Sequence, residues 1–442
     1  MVLRLVLVRH GLSSFNKKKL IQGRTDNSIL TKEGYLQAEA AGKILKTLNF
    51  NQIYSSPLIR AAETAKTIER CFEKNFNIRY DQDLLEVDLD QWSGLTIDEI
   101  KNKYKDSYKI WKNNPEDLIL KRQDKSTYNP IKDLFLQANN FLDNIKTKYL
   151  GTEDQNILVI AHNAILRCLI LDLVKRPKKG FRKIKLDNAS ISIINIFDDH
   201  NFLNTQIECL NQTSHLNQNI PPQIGDSRII LVRHGETDWN KEGRFQGQID
   251  IPLNKKGKEQ AGKASEYLKS VIFNKAFSSS MKRPYETAKI ILGETNNIKI
   301  NKINNLIEIS HGLWEGKLEE EIKMTWPEML KDWQTKPELV KMPEGESIKE
   351  VSERSIKALE IICNSQNKGD ISLVVAHDAV NKTLICNILG LDYSNIWMIK
   401  QGNGGITVID IFNDPDKDNV LVSLNITNHL GSIIDSTASG AL

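Results

Sequence analysis

The sequence has no Cys-x-x-Cys pair, and its five cysteines, Cys71, Cys168, Cys209, Cys363 and Cys386, are odd in number. That argues against a disulfide framework and against a zinc site, and it fits small buried apolar residues in a reducing compartment. Long apolar runs are missing too. The stretch Met1–Val8 is apolar but short, and it ends at Arg9 and His10 with no small-residue cleavage site after it. It reads as a first buried strand and not as a signal peptide. No run approaches the roughly 18–20 apolar residues that span a bilayer. Charge of one sign is scarce: 60 Lys and Arg stand against 56 Asp and Glu, leaving +4. So small an excess implies neither a nucleic-acid partner nor a membrane surface. The expectation is a soluble, cytoplasmic protein.

What is present is a repeat. Domains usually run to roughly 100–200 residues, so 442 residues allow two. Leu7-Val8-Arg9-His10-Gly11 recurs as Leu231-Val232-Arg233-His234-Gly235, and Asn16, Gln22-Gly23 and Asp26 recur as Asn240, Gln246-Gly247 and Asp250. Further on, Gly34 and Ala38 match Gly257 and Ala261, and Ser55-Ser56 with Arg60 and Thr64 matches Ser278-Ser279 with Arg283 and Thr287. Glu86, Trp92 and Gly94 match Glu308, Trp314 and Gly316, and Ala161-His162 matches Ala376-His377. A period this long is domain duplication and not a solenoid. The expected boundaries are a domain over 1–210, a polar linker over 211–226 containing Pro221-Pro222, a second domain over 227–430, and a frayed tail over 431–442.

Within each half, apolar runs alternate with helical patterns. Strands are expected at Val2–Val8, Ile157–Ala161 and Ile191–Phe197, and at Ile229–Val232, Ile371–Ala376 and Ile406–Ile411. Helices are expected at Lys32–Leu48, Arg60–Cys71, Lys256–Lys269 and Arg283–Leu292. The alternation implies an α/β fold with mostly parallel sheets covered on both faces. Ligands in such folds sit beyond the carboxyl ends of the strands. His10 and His162 each follow a strand and land on one rim.

Only eight histidines occur, and four of them fall in matched places: His10, His162, His234 and His377. The other four, His200, His215, His311 and His429, have no matched partner in this reading. Arg9 and Arg60 supply planar forks for phosphate oxygens. A neutral imidazole at His10 can attack phosphorus in line. His162 can donate to the transferring group, and Glu86 is the matched acid for the leaving oxygen. Trp92 and Trp314 read as packing residues, as does His311 near Glu308.

Together, Arg-His-Gly, Ser-Ser-x-x-x-Arg-(Ala/Pro)-x-x-Thr, Leu-x-Glu-x-x-x-x-x-Trp-x-Gly and a late strand-ending His resemble the histidine phosphatase superfamily, whose best-known branch is cofactor-dependent phosphoglycerate mutase. The resemblance covers roughly 1–205 and 227–430. It implies two tandem three-layer α/β/α domains of the phosphoglycerate mutase-like fold. It also implies a phosphohistidine intermediate, no metal and no cofactor. Carried over, it makes His234 the nucleophile, Arg233, Arg283 and His377 the phosphate pocket, and Glu308 the proton donor. Asn240 becomes a further pocket residue, and Gln246 and Gly247 lie on a substrate-contacting loop. His10, Arg9, Arg60, His162, Glu86, Asn16, Gln22 and Gly23 match in the first half. The small phosphorylated partner implied is left open: sugar phosphates, phosphoserine, a nucleoside phosphate and bisphosphorylated sugars are all handled in the superfamily. The tandem arrangement is similar to that of two-domain 2-carboxyarabinitol-1-phosphatases.

The halves are not equal. The first has Leu12 where the second has Glu236, Asp90 where it has Gly312, and Asn129-Pro130-Ile131-Lys132-Asp133 where it has Pro343-Glu344-Gly345-Glu346-Ser347 with Val351 and Arg354. The second half is therefore expected to carry the main activity, with the first active on another substrate, weakly active or a phosphate-binding regulatory module. A basic run unique to the first half, Lys175-Arg176-Pro177-Lys178-Lys179, reads as a solvated face. The mutase branch has extra segments between its Glu and second His, and Arg-His directly after that Glu. Here the separations from Glu86 to His162 and from Glu308 to His377 are 76 and 69 residues, and Val87-Asp88 and Ile309-Ser310 follow the acids. Hydrolysis is expected, with mutase-type transfer as the alternative.

Overall fold

A computed structural model describes the chain apart from residues 123, 152, 176, 178, 200–201, 217–218, 294–297 and 438–442. His200, two members of the basic run and the end of the expected tail lie outside the described residues. The chain divides into two compact units, Met1–Pro221 and Pro222–Leu442.

The sheet strands of the first unit and the helices between them that pack on the sheet are β1 (Val2–Arg9), α1 (Lys32–Leu45), β2 (Gln52–Ser55), α2 (Ile59–Glu69), β3 (Arg79–Tyr80), α3 (Pro130–Tyr149), β4 (Gln155–Ala161), α4 (Asn163–Leu173), β5 (Ile191–Asp199) and β6 (Phe202–Gln212). Those of the second are β7 (Ser227–Arg233), α5 (Lys255–Leu268), β8 (Lys275–Ser279), α6 (Lys282–Leu292), β9 (Ile300–Ile303), α7 (Ile348–Ser365), β10 (Ile371–Ala376), α8 (Asp378–Leu389), β11 (Ile406–Ile411) and β12 (Val420–Ile426).

Within the first unit the strands run in the order β6-β5-β1-β4-β2-β3. The β1/β4, β4/β2 and β2/β3 pairs are parallel, while β5 joins β1 and β6 antiparallel. The second unit repeats this as β12-β11-β7-β10-β8-β9. Each sheet is thus mostly parallel with an antiparallel edge. The central strands are buried along nearly their whole length, which requires cover on both faces. Helix α1 packs on α2 and α3 on α4, with the same pairing in the second unit.

Small residues set the helix contacts. The buried face of α1 is Gly34, Ala38, Ala41, Gly42 and Leu45, and its start is capped by Thr31, whose hydroxyl accepts from Gly34 N. The close approach explains the glycine of Arg-His-Gly. A Cβ on Gly11 would stand 2.3 Å from the Gly34 carbonyl oxygen, and one on Gly235 would meet that of Gly257 at the same distance.

Two expected boundaries move. The segment 211–226 is not a plain linker: β6 includes Gln212, a 3-10 turn covers Ser214–Leu216, and Ile224 N and Gly225 N donate to Asp410 Oδ2 at 2.7 and 3.2 Å. The tail is not frayed through Thr437. Ile433, Asp435 and Thr437 are buried, Thr437 N donates to Asp435 Oδ1 at 2.7 Å, and the Asp435 carbonyl accepts from Lys400 Nζ at 3.1 Å.

Candidate active site

Strand register builds the centre of each site. Arg9 pairs with Ala161 across β1 and β4, and His10 N donates to the Ala161 carbonyl at 2.9 Å. Both histidines therefore leave adjacent parallel strands at one rim, and the rings of His10 and His162 lie 5.2 Å apart. The second unit repeats it: Arg233 pairs with Ala376, and the His234 and His377 rings are 5.1 Å apart. All four rings are buried.

Hydrogen bonds fix the tautomers. His10 Nδ1 is 2.8 Å from the Gly11 carbonyl and His234 Nδ1 is 2.7 Å from that of Gly235. A carbonyl only accepts, so Nδ1 carries the proton and Nε2 keeps the lone pair. His162 Nε2 lies 2.8 Å from Ser56 Oγ, and His377 Nε2 lies 2.9 Å from Ser279 Oγ. Their Nδ1 atoms are buried without a protein partner. Burial pushes all four imidazoles well below the usual histidine range, and the nearby arginines push the same way. These rings are neutral at neutral pH.

The arginines are clamped by backbone. Arg60 donates to the Thr25 and Gly23 carbonyls, both at 2.8 Å, and Arg283 to those of Ile249 and Gly247, at 3.0 and 2.8 Å. Arg9 and Arg233 donate to the Leu186 and Gln401 carbonyls at 2.7 and 2.6 Å. Buried Nε atoms of Arg9, Arg60 and Arg233 have no acceptor in the protein. Buried cationic donors without acceptors are costly, and a bound dianion relieves that cost. Among the described residues no group of three or more His, Cys, Asp or Glu is gathered to hold a metal ion.

The two acids are held differently. Glu308 is buried, accepts from Ile309 N at 2.9 Å and Ala379 N at 3.4 Å, and has its carboxyl pushed up by burial and then by Asp378. Glu86 is half-buried and accepts from Val87 N, Ala164 N and Ile165 N.

The family model of the histidine phosphatase superfamily (branch 1) matches the chain twice, over residues 5–208 and 229–427. The chain belongs to the histidine phosphatase superfamily. It is a phosphatase of that superfamily. The 2-carboxy-D-arabinitol-1-phosphatase of Triticum aestivum is 28% identical over 464 residues, covering 97% of this chain and 86% of its own. Phosphoserine phosphatase 1 of Hydrogenobacter thermophilus is 35% identical over 204 residues, 46% of this chain and 94% of its own. Among solved structures, Bacillus stearothermophilus YhfR is 31% identical, covers 44% of this chain and 96% of its own, and gives a TM-score of 0.42.

Several matched residues of this histidine phosphatase act as scaffold. Thr64 Oγ1 accepts from Gly11 N and donates to the Arg60 carbonyl, and Thr287 does the same for Gly235 and Arg283. Asp26 and Asp250 accept from the first amides of α2 and α6, which carry Arg60 and Arg283. Gly23 and Gly247 face those arginines through their carbonyls. Gln22 Oε1 is taken by Ser13 and Ser28, whereas buried Gln246 Oε1 has no protein partner. The Asn16 and Asn240 side-chain oxygens accept from Asn188 and Asn403, leaving their amide nitrogens as the donors.

Asn188 and Asn403 also donate to the His10 and His234 carbonyls, at 3.0 and 3.1 Å. The sequence reading missed this pair. His215 and His429, expected to have no equivalent in the other half, prove equivalent to each other. His215 Nε2 meets the Ala189 carbonyl at 2.9 Å, and His429 Nε2 meets that of Gly404 at 3.1 Å. The signal was available as Asn211-Gln212-Thr213-Ser214-His215-Leu216 against Asn425-Ile426-Thr427-Asn428-His429-Leu430. His311 is buried edge-on against Phe245 and Trp333 and is a packing residue, as Trp92 and Trp314 are.

The differences between the units are also scaffold, not rim. Buried Glu236 accepts from Asn254 Nδ2 at 3.0 Å and pairs with Lys256 at 2.8 Å. Gly312 has φ +53, and a Cβ there would stand 1.9 Å from the Pro343 carbonyl oxygen. The loop that carries Pro343 to Ser347 therefore demands that glycine. Asp90 is exposed in a unit built without that loop. Glu346 grips Arg354 at 2.9 Å through both oxygens, and Arg354 donates to the Asn305, Ile307 and Glu308 carbonyls. In the first unit Gln137 serves the Asp83 and Leu85 carbonyls, while Arg24 reaches the Glu86 carbonyl at 2.9 Å and Gln137 itself at 2.9 Å. The second unit uses Gln248 where the first uses Arg24, at 3.1 Å from the Glu308 carbonyl. Arginine and glutamine have changed places, and the loop bearing the acid is held in both.

Proposed function

We propose that the second unit hydrolyses a small phosphorylated metabolite in two steps through His234. The observation that carries this is the His234 ring, neutral and buried, with its Nδ1 proton fixed on the Gly235 carbonyl and Nε2 facing Arg283. His234 Nε2 attacks phosphorus while the ester oxygen leaves, and Glu308, whose carboxyl is raised by burial, gives that oxygen its proton. Arg233, Arg283 and His377 Nδ1 hold the equatorial oxygens as charge spreads over them. Water then attacks the phosphohistidine, with the Glu308 carboxylate taking its proton, and phosphate departs.

The coarse substrate class is supported by two relatives named for phosphoserine and 2-carboxy-D-arabinitol 1-phosphate, both small phosphomonoesters. A cytoplasmic, reducing setting is part of the reading, on the five cysteines without a Cys-x-x-Cys pair. The first unit keeps His10, Arg9, Arg60, His162 and Glu86 in the same arrangement. Its acid, however, is half-buried and accepts from three backbone amides, where Glu308 is buried, accepts from two and has its carboxyl raised by that burial. Main turnover therefore belongs to the second unit. Separate His10→Ala and His234→Ala variants, assayed for phosphate release across a panel of phosphomonoesters, test this. His234→Ala should abolish the main activity. Loss with His10→Ala alone would reverse the assignment.

A further inference from the structure

The helix that follows the second histidine differs between the units. In the second unit it opens with Asp378, whose Oδ1 is 3.3 Å from Arg233 Nη1 and whose Oδ2 is 2.7 Å from Lys382 Nζ. One buried carboxylate thus balances two buried cations. The ammonium of Lys382 also lies over Trp397, at 4.8 Å.

The first unit has Asn163, Arg167 and Arg182 at these three positions. Asn163 brings no charge, and its amide donates to the Leu186 carbonyl, which also takes Arg9 Nη1. Among the described residues no carboxylate lies within ion-pair distance of Arg9, Arg167 or Arg182. The two extra guanidiniums are fixed by aromatic planes. Arg182 lies 4.8 Å from the Trp111 ring and 5.6 Å from Phe181, and it donates to the Trp111 carbonyl. Arg167 lies 5.4 Å from the Phe181 ring and donates to the Phe181 carbonyl at 3.2 Å. The Nε atoms of all three arginines are buried without an acceptor. Burial, then Arg182 and Arg9, push Arg167 down to about 9, with Glu86 acting against them. Arg9 and Asn163 share the Leu186 carbonyl, which sets the start of α4 beside the phosphate cradle. Arg167 stands four residues, about 6 Å, beyond Asn163 along that helix.

Three half-buried guanidiniums whose Nε atoms lack an acceptor, with no carboxylate in ion-pair contact, are unfavourable alone and favourable around an anion. We propose that the first unit takes a small ligand carrying a second anionic group besides its phosphate, with Arg167 and Arg182 holding that second group. This rests on reading Arg9, His10, Arg60 and His162 as the phosphate cradle. The second unit, with Asp378 neutralising its cations and Trp397 in place of Arg182, makes no such demand. The two units are thereby specialised by substrate charge.

The test uses the full-length chain carrying Arg283→Gln, which disables the second cradle, titrated calorimetrically with orthophosphate, ethyl phosphate, 2-phosphoglycolate and ethylene glycol bisphosphate. At least one of the two doubly anionic esters should bind about tenfold more tightly than ethyl phosphate, as one added charge-assisted contact implies. Which of the two gains more tells carboxylate from phosphate. Adding Arg167→Gln should erase that preference while orthophosphate and ethyl phosphate stay within about twofold; Arg182→Gln should weaken it. Equal affinity for ethyl phosphate and both doubly anionic esters would overturn the proposal, as would a preference that survives Arg167→Gln. Parallel loss of all four ligands in Arg167→Gln would show a structural role and overturn it too. Failure of orthophosphate to bind before that change would instead overturn the cradle.

Discussion

Arg283 donates from Nε to Nε2 of His234 across 3.2 Å, whereas the corresponding Nε of Arg60 has no acceptor in the protein. The lone pair proposed to attack phosphorus is thus held by the guanidinium proposed to bind the phosphoryl oxygens. On that proposal an arriving dianion competes for Arg283 and releases the lone pair. A lysine supplies charge but no planar fork. Arg283→Lys should lower kcat/KM for phosphate release by about 10²–10³-fold, the scale of one lost transition-state donor. Near-normal kcat/KM would show that charge alone suffices.

The raised carboxyl of Glu308 sets a pH limb. As the proposed proton donor it would work below its own pKa, so kcat/KM should fall as pH rises through a point above the ordinary 4.5. Glu308→Gln should remove that limb and lower the rate by about 10²–10⁴-fold for an alkyl ester. With p-nitrophenyl phosphate, whose leaving group needs no proton, the loss should be much smaller. Equal losses on both esters would show that Glu308 does not donate.

Arg24 with Gln137 in the first unit, and Gln248 with Arg354 in the second, both hold the loop that presents the acid. Arg354→Gln should destabilise the second unit by roughly 1.5–3 kcal/mol, the scale of hydrogen bonds to a charged group. Adding Gln248→Arg should recover part of that loss, because the first unit already works this way. Thermal unfolding and kcat of the single and double variants read the coupling. Strict additivity would show that the two positions are independent.

Acid should destabilise this chain earlier than its carboxylates require. Burial holds His10, His162, His234 and His377 well below the usual 6.5, and pushes His215 and His429 down to about 4. The unfolded chain takes up these protons near 6.5 and the folded chain does not. Their contribution is complete above about 6.5 and is lost as pH falls toward the folded values. Glu308 acts oppositely, since its folded form keeps a proton that the unfolded form has released, but it stands against six histidines. Calorimetry should show the unfolding temperature declining from about pH 6.5 downward. A temperature flat to the carboxylate range would contradict this.

The fold was legible wherever a strand was apolar enough to be buried on both faces, as in Val2–Val8 or Ile371–Ala376. It was less legible where burial erased the pattern. Helices α4 and α8 are buried on nearly every side, so no amphipathic stripe marks them. Strands β2 and β8 are short and polar at their ends, and they showed in the sequence only through Ser55-Ser56 and Ser278-Ser279. The candidate chemical residues stood out because His, Arg and Glu recur together in a chain with few histidines. Their partners were not: the Asn188 and Asn403 contacts run through backbone carbonyls that only a folded chain brings near. Charge balance between units was hidden as well. Asn163 against Asp378 looks conservative until the arginines around it are placed.

The central claim is that His234 is the principal phosphoryl acceptor. Rapid acid-free quenching of the wild-type chain during turnover, followed by peptide mapping of acid-labile phosphohistidine, tests it most directly. The label should reside on the peptide containing His234, and Glu308→Gln should slow its decay. Label confined to His10, or steady hydrolysis with no phosphohistidine on either unit, would contradict the account.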